Sequence, residues 1–147
     1  MLNIGNQGNM KIQIILLFMI SLLFVDCKQP SVQKESPCIN NIIAKDKILG
    51  KVRNQYSTQN SLSSTIYNYT EGLRQLEFQS CPDNFKAAFL KHIAAWDEML
   101  PITDKYPDIR GEMHDAFDKI KAQGDQSFES QLQIIWDTWD EVEKTMP

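Results

Sequence analysis

The chain has 147 residues, a net charge of −4 and an isoelectric point of about 5.1. An acidic chain without a basic stripe argues against nucleic acid as a partner. Two histidines and three cysteines leave little for a metal centre, and no cysteine spacing matches a zinc site. The sequence carries no assembled catalytic motif and no cofactor-binding motif, so we expect neither an enzyme nor a bound cofactor.

The first segment has the pattern of a targeting signal. Met10-Lys11 opens a short positively charged start, and the run from Ile14 to Val25 is apolar except for Ser21. A transmembrane helix needs about 20 apolar residues, whereas the core of a signal peptide needs about 7–15. We therefore predict a signal peptide over residues 1–26. Met10 is the alternative start site, because residues 1–9 carry no charge.

The end of this segment, Leu22-Leu23-Phe24-Val25-Asp26-Cys27, resembles the lipobox of bacterial lipoproteins. Asp26 stands where the pattern has Gly, Ala, Ser or Asn. The resemblance implies that Cys27 is lipidated and begins the mature chain, which would place the protein in the cell envelope, facing the periplasm or the cell surface. Secretion without lipid and an uncleaved anchor are the alternatives. The resemblance covers residues 1–27 only, and no family is recognised for residues 38–147.

The cysteine count favours one disulfide. If Cys27 carries lipid, Cys38 and Cys81 remain as a pair in an oxidising compartment, where an unpaired cysteine is uncommon. Residues 27–37 are then the lipidated cysteine and a flexible tether, since their polar composition cannot bury enough apolar surface to fold. Residues 38–147 have the size of a single domain.

From Ser36 onward, apolar residues recur at three- and four-residue spacing, as they do on one face of a helix. Ser36 and Pro37 suit the N-cap and the first turn of the first helix. The predicted core residues of the first two helices are Ile39, Ile42, Ile43, Leu49, Val52 and Tyr56, followed by Leu62, Ile66, Tyr69, Leu73 and Leu76.

Three more helices are predicted. The third ends at Pro101, the fourth runs from about Pro107 to Ala122, and the last runs from Gln126 to Lys144. No segment alternates in the manner of a strand, so the expected fold is an all-α, up-and-down bundle of four to five helices. Their predicted core residues are Phe85, Ala88, Phe89, His92, Trp96 and Met99, then Met113, Phe117 and Ile120, then Phe128, Leu132, Ile135, Trp139 and Val142.

Four side chains are candidates for ligand binding: His92, Trp96, His114 and Trp136. His92 lies within the apolar stripe of the third helix, where the favoured interpretation is a core histidine with a hydrogen-bond partner and the alternative is a metal or ligand contact. His114 lies among acidic residues on what we expect to be a solvated helix face. Trp96 and Trp136 are both expected in the core, although Trp136 lies off the main stripe of its helix and a position at the edge is its alternative.

These observations lead to an expectation for function. We expect an exported, lipid-anchored, non-enzymatic helical protein that binds the membrane through its anchor and a protein or small molecule through its domain. The alternative is a bundle that binds a small ligand or a metal with His92 and the neighbouring aromatic side chains.

Overall fold

The computed structural model describes residues 36–147, and these residues form a helical bundle without strands. The predicted signal peptide, Cys27 and the tether up to residue 35 lie outside the described residues. No helix within the described part is long and apolar enough to cross a membrane. The helices are α1 (Pro37–Tyr56), α2 (Leu62–Arg74), α3 (Asp83–Glu98), the single turn α4 (Leu100–Thr103), α5 (Met113–Lys121) and α6 (Gln126–Glu143).

Local sequence explains where several helices begin. Pro37 occupies the first turn of α1, where its missing N–H costs nothing. The side chain of Ser61 accepts a hydrogen bond from the backbone N–H of Ser64 at the start of α2. Asp125 caps α6 by accepting from the N–H groups of Ser127 and Phe128. Each cap satisfies donors that an isolated helix start leaves free.

The helices pack in antiparallel order, as the bundle prediction requires. On α3 and α6, which share the most extensive interface, His92 lies opposite Thr138 while Ala95, further along α3, lies opposite Gln131. The helix α2 packs against both α1 and α3, whereas α1 has extensive contact with α2 alone. The largest side chains with no exposed surface are Phe85, Phe89, Phe128, Ile42, Leu62, Ile66, Leu73 and Met99.

The predicted inner face of α1 is wrong in its second half. Val52 and Tyr56 are 52% and 37% exposed, because the face directed at the bundle continues from Leu49 to Arg53 instead. The inner residues follow spacings of three, four, three and four, but two of them are charged. They are Ile39, Ile42, Asp46, Leu49 and Arg53.

The segment between α3 and α5 also differs from the prediction. Pro101 does not end the helical region but lies in the first turn of α4, where proline is tolerated. The helix predicted from Pro107 begins only at Met113. Gly111 has a φ of +141°, a backbone conformation that interrupts any helix and suits glycine.

Cys38 and Cys81 meet at one end of the bundle. Cys38 lies in the first turn of α1, and Cys81 comes two residues before α3 begins, with 5.2 Å between the two Cα atoms. The structure joins the two in a disulfide. The meeting follows from the antiparallel topology, since the first and third helices start at the same end. The bond ties α1, the outermost helix, to the start of the central helix α3.

Candidate binding cleft

A cleft of about 160 Å³ opens where α1, α2, α3 and α6 converge. Three of the four predicted ligand-binding residues, His92, Trp96 and Trp136, line it together. All three tryptophans of the chain contribute to its walls. The remaining lining residues are Asp46, Arg53, Tyr69, Ile135 and Trp139.

His92 forms the floor of the cleft and is held from both sides. Nε1 of Trp96 donates to Nε2 of His92 over 3.1 Å, and Nδ1 lies 3.0 Å from Oγ1 of Thr138. Because an indole N–H can only donate, Nε2 must be the unprotonated nitrogen and Nδ1 carries the proton. The Thr138 hydroxyl in turn donates a hydrogen bond of 2.9 Å to the carbonyl oxygen of Ile135. Every polar atom in this buried series of hydrogen bonds therefore has a partner.

The same burial fixes the charge of His92. Removal from water disfavours the imidazolium and lowers the pKa of His92 to about 4, and the positive charge of Arg53 acts in the same direction. The neutral ring has no free lone pair, since Nε2 already accepts from Trp96. Both ring nitrogens of His92 thus have partners within the protein, as expected for a core histidine.

Arg53 reaches into the cleft from α1 and stacks on two aromatic rings. Its guanidinium carbon lies 4.6 Å from the centroid of the Tyr69 ring and 4.7 Å from that of Trp96. Such stacking holds a cation without neutralising it. Within residues 36–147 no carboxylate lies within ion-pair distance of Arg53, and its buried Nε has no hydrogen-bond partner. The guanidinium is thus positioned but unpaired.

Asp46 lies two turns before Arg53 on the same helix face, and its carboxyl group already has a hydrogen-bond partner. Its Oδ1 accepts a hydrogen bond of 2.6 Å from the hydroxyl of Tyr69. Burial raises the pKa of Asp46, an effect that the Tyr69 hydrogen bond and the charge of Arg53 oppose. Burial and the nearby Asp46 raise the pKa of Tyr69, so its hydroxyl keeps the proton that it donates.

Two tryptophans of α6 form the rim. Trp136 is 47% exposed, so the expectation that it lies in the core is wrong, because it lies off the apolar stripe that α6 directs at the bundle. Trp139 is half-buried beside His92, with 5.2 Å between the ring centroids, and its Nε1 donates to Oε1 of Glu143 over 2.9 Å. An exposed indole at the mouth of an aromatic cleft offers apolar surface to a bound group.

The fourth candidate, His114, does not join the other three. It is exposed in the first turn of α5, where its backbone N–H donates to the Glu112 side chain, and it does not line the cleft. Among the described residues, no three His, Cys, Asp or Glu side chains are grouped so that they could hold a metal ion.

A second surface lies on the outer side of α1. Ile48, Val52 and Tyr56, four residues apart, form an exposed apolar row that we call the α1 face. They border two hollows of about 200 Å³ each, which lie between α1 and α2 and share Leu49. The helices approach closely here, since a Cβ on Gly72 would lie 2.9 Å from Cδ2 of Leu49. The α1 face and these two hollows form a groove.

Five residues of the cleft were not predicted as site residues: Tyr69, Ile135 and Trp139 were predicted as core residues, and Asp46 and Arg53 were not singled out at all. Asp46 and Arg53 occupy inner positions of α1 at helical spacing, which is the one signal the sequence offered for them. A charged residue at an inner position marks either a mispredicted face or a buried polar site. Comparisons of the chain with protein-family models, with curated proteins and with solved structures found no match.

Proposed function

We propose that this protein is an exported, lipid-anchored, non-enzymatic interaction protein of the cell envelope that binds an acidic amphipathic helix of a partner protein on its α1 face. The observation that carries the proposal is the exposed apolar row of Ile48, Val52 and Tyr56, whose side chains are 61%, 52% and 37% exposed. Apolar side chains that recur along one exposed helix face favour contact with another macromolecule.

The shape of the groove supports a helical partner. The row on α1 and the two hollows beside it run along the helix, so an incoming helix could place apolar side chains at three- and four-residue intervals into the hollows. The hollow beside Ile48 and Gly72 is bordered by apolar side chains and the stem of Lys45. Aromatic and aliphatic anchors in such hollows supply most of the affinity of helix-in-groove complexes.

The charge of α1 supports an acidic partner. Lys45, Lys47 and Lys51 are exposed along the helix, and the only carboxylate on α1, Asp46, faces the cleft. By contrast, α6 carries five acidic residues and no lysine or arginine. Complementary charge raises the association rate and favours the correct partner, so acidic residues should flank the apolar side of the bound helix.

The anchor and the location of the protein are part of the proposal. The short charged start, the apolar core and Cys27 support export followed by lipidation. The polar residues 28–36 then join the anchored cysteine to the start of α1. An anchored domain meets partners in the same membrane or envelope layer at a raised effective concentration.

Lipidation is tested by metabolic labelling with a palmitate analogue. We expect label on the wild-type chain and none on Cys27→Ser, because the thiol of Cys27 is the attachment point of the anchor. Cys38→Ala serves as the matched control and should keep the label. Equal labelling of wild type and Cys27→Ser, or a mature N-terminus at another residue, would show that the lipidation proposal is wrong and favour ordinary secretion.

The α1 face is tested by capture of partners from the native envelope. We expect Val52→Asp to reduce capture at least tenfold, because a carboxylate would be buried in an apolar contact worth about 2 kcal/mol or more. Leu90→Asp is the matched control, since Leu90 is 45% exposed on α3 and does not border the groove. Equal loss in both variants, or in neither, would contradict binding through the α1 face.

A further inference from the structure

The cleft has an unpaired group of its own, Arg53, which together with Tyr69 also borders one of the two hollows beside the α1 face. We propose that Arg53 is a carboxylate-binding residue and that the cleft holds the carboxylate of a small organic acid with an aromatic or branched apolar body. The carboxylate could belong to a free metabolite or to an acidic side chain of the partner on the α1 face. The chemistry of recognition is the same for both sources.

The first step of the argument is the state of the guanidinium. A buried or half-buried arginine is ordinarily paired with a carboxylate, because an unpaired charge out of water is costly. Arg53 instead has two aromatic contacts and no anionic partner within the described part of the chain. The two ring contacts fix the plane of the guanidinium. A guanidinium held in one plane can bind a carboxylate through two parallel hydrogen bonds.

The second step is the surroundings of that guanidinium. Trp96 lies beneath the guanidinium, while Ile135, Trp136 and Trp139 supply the apolar wall on the side of α6. A volume of about 160 Å³ is below the range of about 300–1,000 Å³ that is usual for drug-sized ligands. The cleft therefore suits a short acid with one ring or one branched chain.

The third step concerns Asp46, the one carboxylate that lines the cleft with Arg53. It is held by the hydroxyl of Tyr69 and does not reach the guanidinium as an ion pair. Its charge, where present, offsets part of the field of Arg53. The cleft should therefore accept a monocarboxylate and disfavour a dicarboxylate, whose second charge would meet Asp46.

The test is a titration of the purified protein with phenylacetate, followed by tryptophan fluorescence. All three tryptophans line the cleft, so binding there must change their emission. We expect saturable binding in the millimolar range. The uncharged isostere phenylacetamide should bind about tenfold more weakly, because it cannot form the charge-assisted pair.

Variants assign the effect to Arg53. Arg53→Gln should weaken phenylacetate binding about tenfold or more, and Arg53→Lys should give an intermediate loss because it keeps the charge without the planar guanidinium. Asp46→Asn should strengthen binding, since it removes the opposing charge and leaves an oxygen that can accept from Tyr69. Lys86→Gln is the charge-matched control, because Lys86 is exposed on α3 and does not line the cleft. Circular dichroism of each variant confirms that the fold is kept.

The outcomes separate this inference from the proposal for the α1 face. Equal affinity for the acid and the amide, an unchanged affinity in Arg53→Gln, or no saturable binding would overturn the carboxylate site and leave the α1 face untouched. If Arg53→Gln loses phenylacetate but keeps partner capture, the natural carboxylate belongs to a free acid. Arg53 also borders the groove, whereas Asp46 lines the cleft and not the two hollows. If Arg53→Gln loses both and Asp46→Asn strengthens both, the carboxylate belongs to the partner helix.

Discussion

Opening the Cys38–Cys81 disulfide is expected to lower the free energy of unfolding by about 4 kcal/mol. The bond closes a loop with a sequence separation of 43, and on the chain-entropy model a loop of that length restricts the unfolded state by about this amount. The measurement is chemical denaturation of the purified, oxidised protein with and without reductant. The m-value should stay close to constant if the folded state keeps its packing.

A matched variant separates the disulfide from other effects of reductant. Cys38→Ala/Cys81→Ala should show the lower stability under both conditions, while Cys27→Ser should respond to reductant as the wild type does. We expect α1 to be the helix most affected, since extensive contact with α2 and the bond at Cys38 are what hold it. Free thiols at both positions in protein isolated without reductant, found by alkylation, would contradict the disulfide.

Acidification from pH 6.5 to pH 4 is expected to remove about 3 kcal/mol of stability through His92 alone. The folded-state pKa of about 4 lies below the ordinary value of 6.5. Above pH 6.5 both states hold a neutral ring, so His92 contributes no pH dependence there. Between pH 6.5 and pH 4 the unfolded state takes up the proton and the folded state does not, so stability falls as the pH falls, by about 1.4 kcal/mol per unit of pKa difference.

The variant that isolates this effect is His92→Leu. It should flatten the decrease below pH 6.5, leaving only the contributions of the carboxylates that it shares with the wild type. At neutral pH we expect it to be less stable by about 1–3 kcal/mol, because Trp96 Nε1 loses its buried acceptor. His114→Leu is the control, since His114 is exposed on α5. The same pH profile in His92→Leu and in the wild type would contradict the structural role of His92.

The architecture could be predicted because its signals are local. Helical spacing of apolar residues locates α2, α3 and α6 well, and the antiparallel order follows from short connections between them. The same antiparallel order predicted that Cys38 and Cys81 lie at one end of the bundle, as they do. His92 could be predicted as a buried side chain because it shares the stripe of Phe89 and Trp96, although its partner Thr138 on another helix could not.

The site was harder to predict because its residues violate the apolar pattern. On α1 the inner face continues through Asp46 and Arg53, and a pattern search for apolar residues turns instead to Val52 and Tyr56. What makes the two charged residues acceptable inside is supplied by Tyr69 and Trp96, which come from other helices. These contacts form only when the helices have packed together, so the sequence of a single helix does not reveal them.

The most direct test of the account is site-specific photo-crosslinking in living cells. A photo-reactive amino acid replaces Val52 in one strain and Leu90, which is exposed on α3 and does not border the groove, in a second strain. From position 52 we predict one dominant crosslinked protein, joined through an acidic amphipathic helical segment that peptide mapping identifies. From position 90 that product should be missing. The same product from both positions, or no product from position 52, would contradict partner binding on the α1 face.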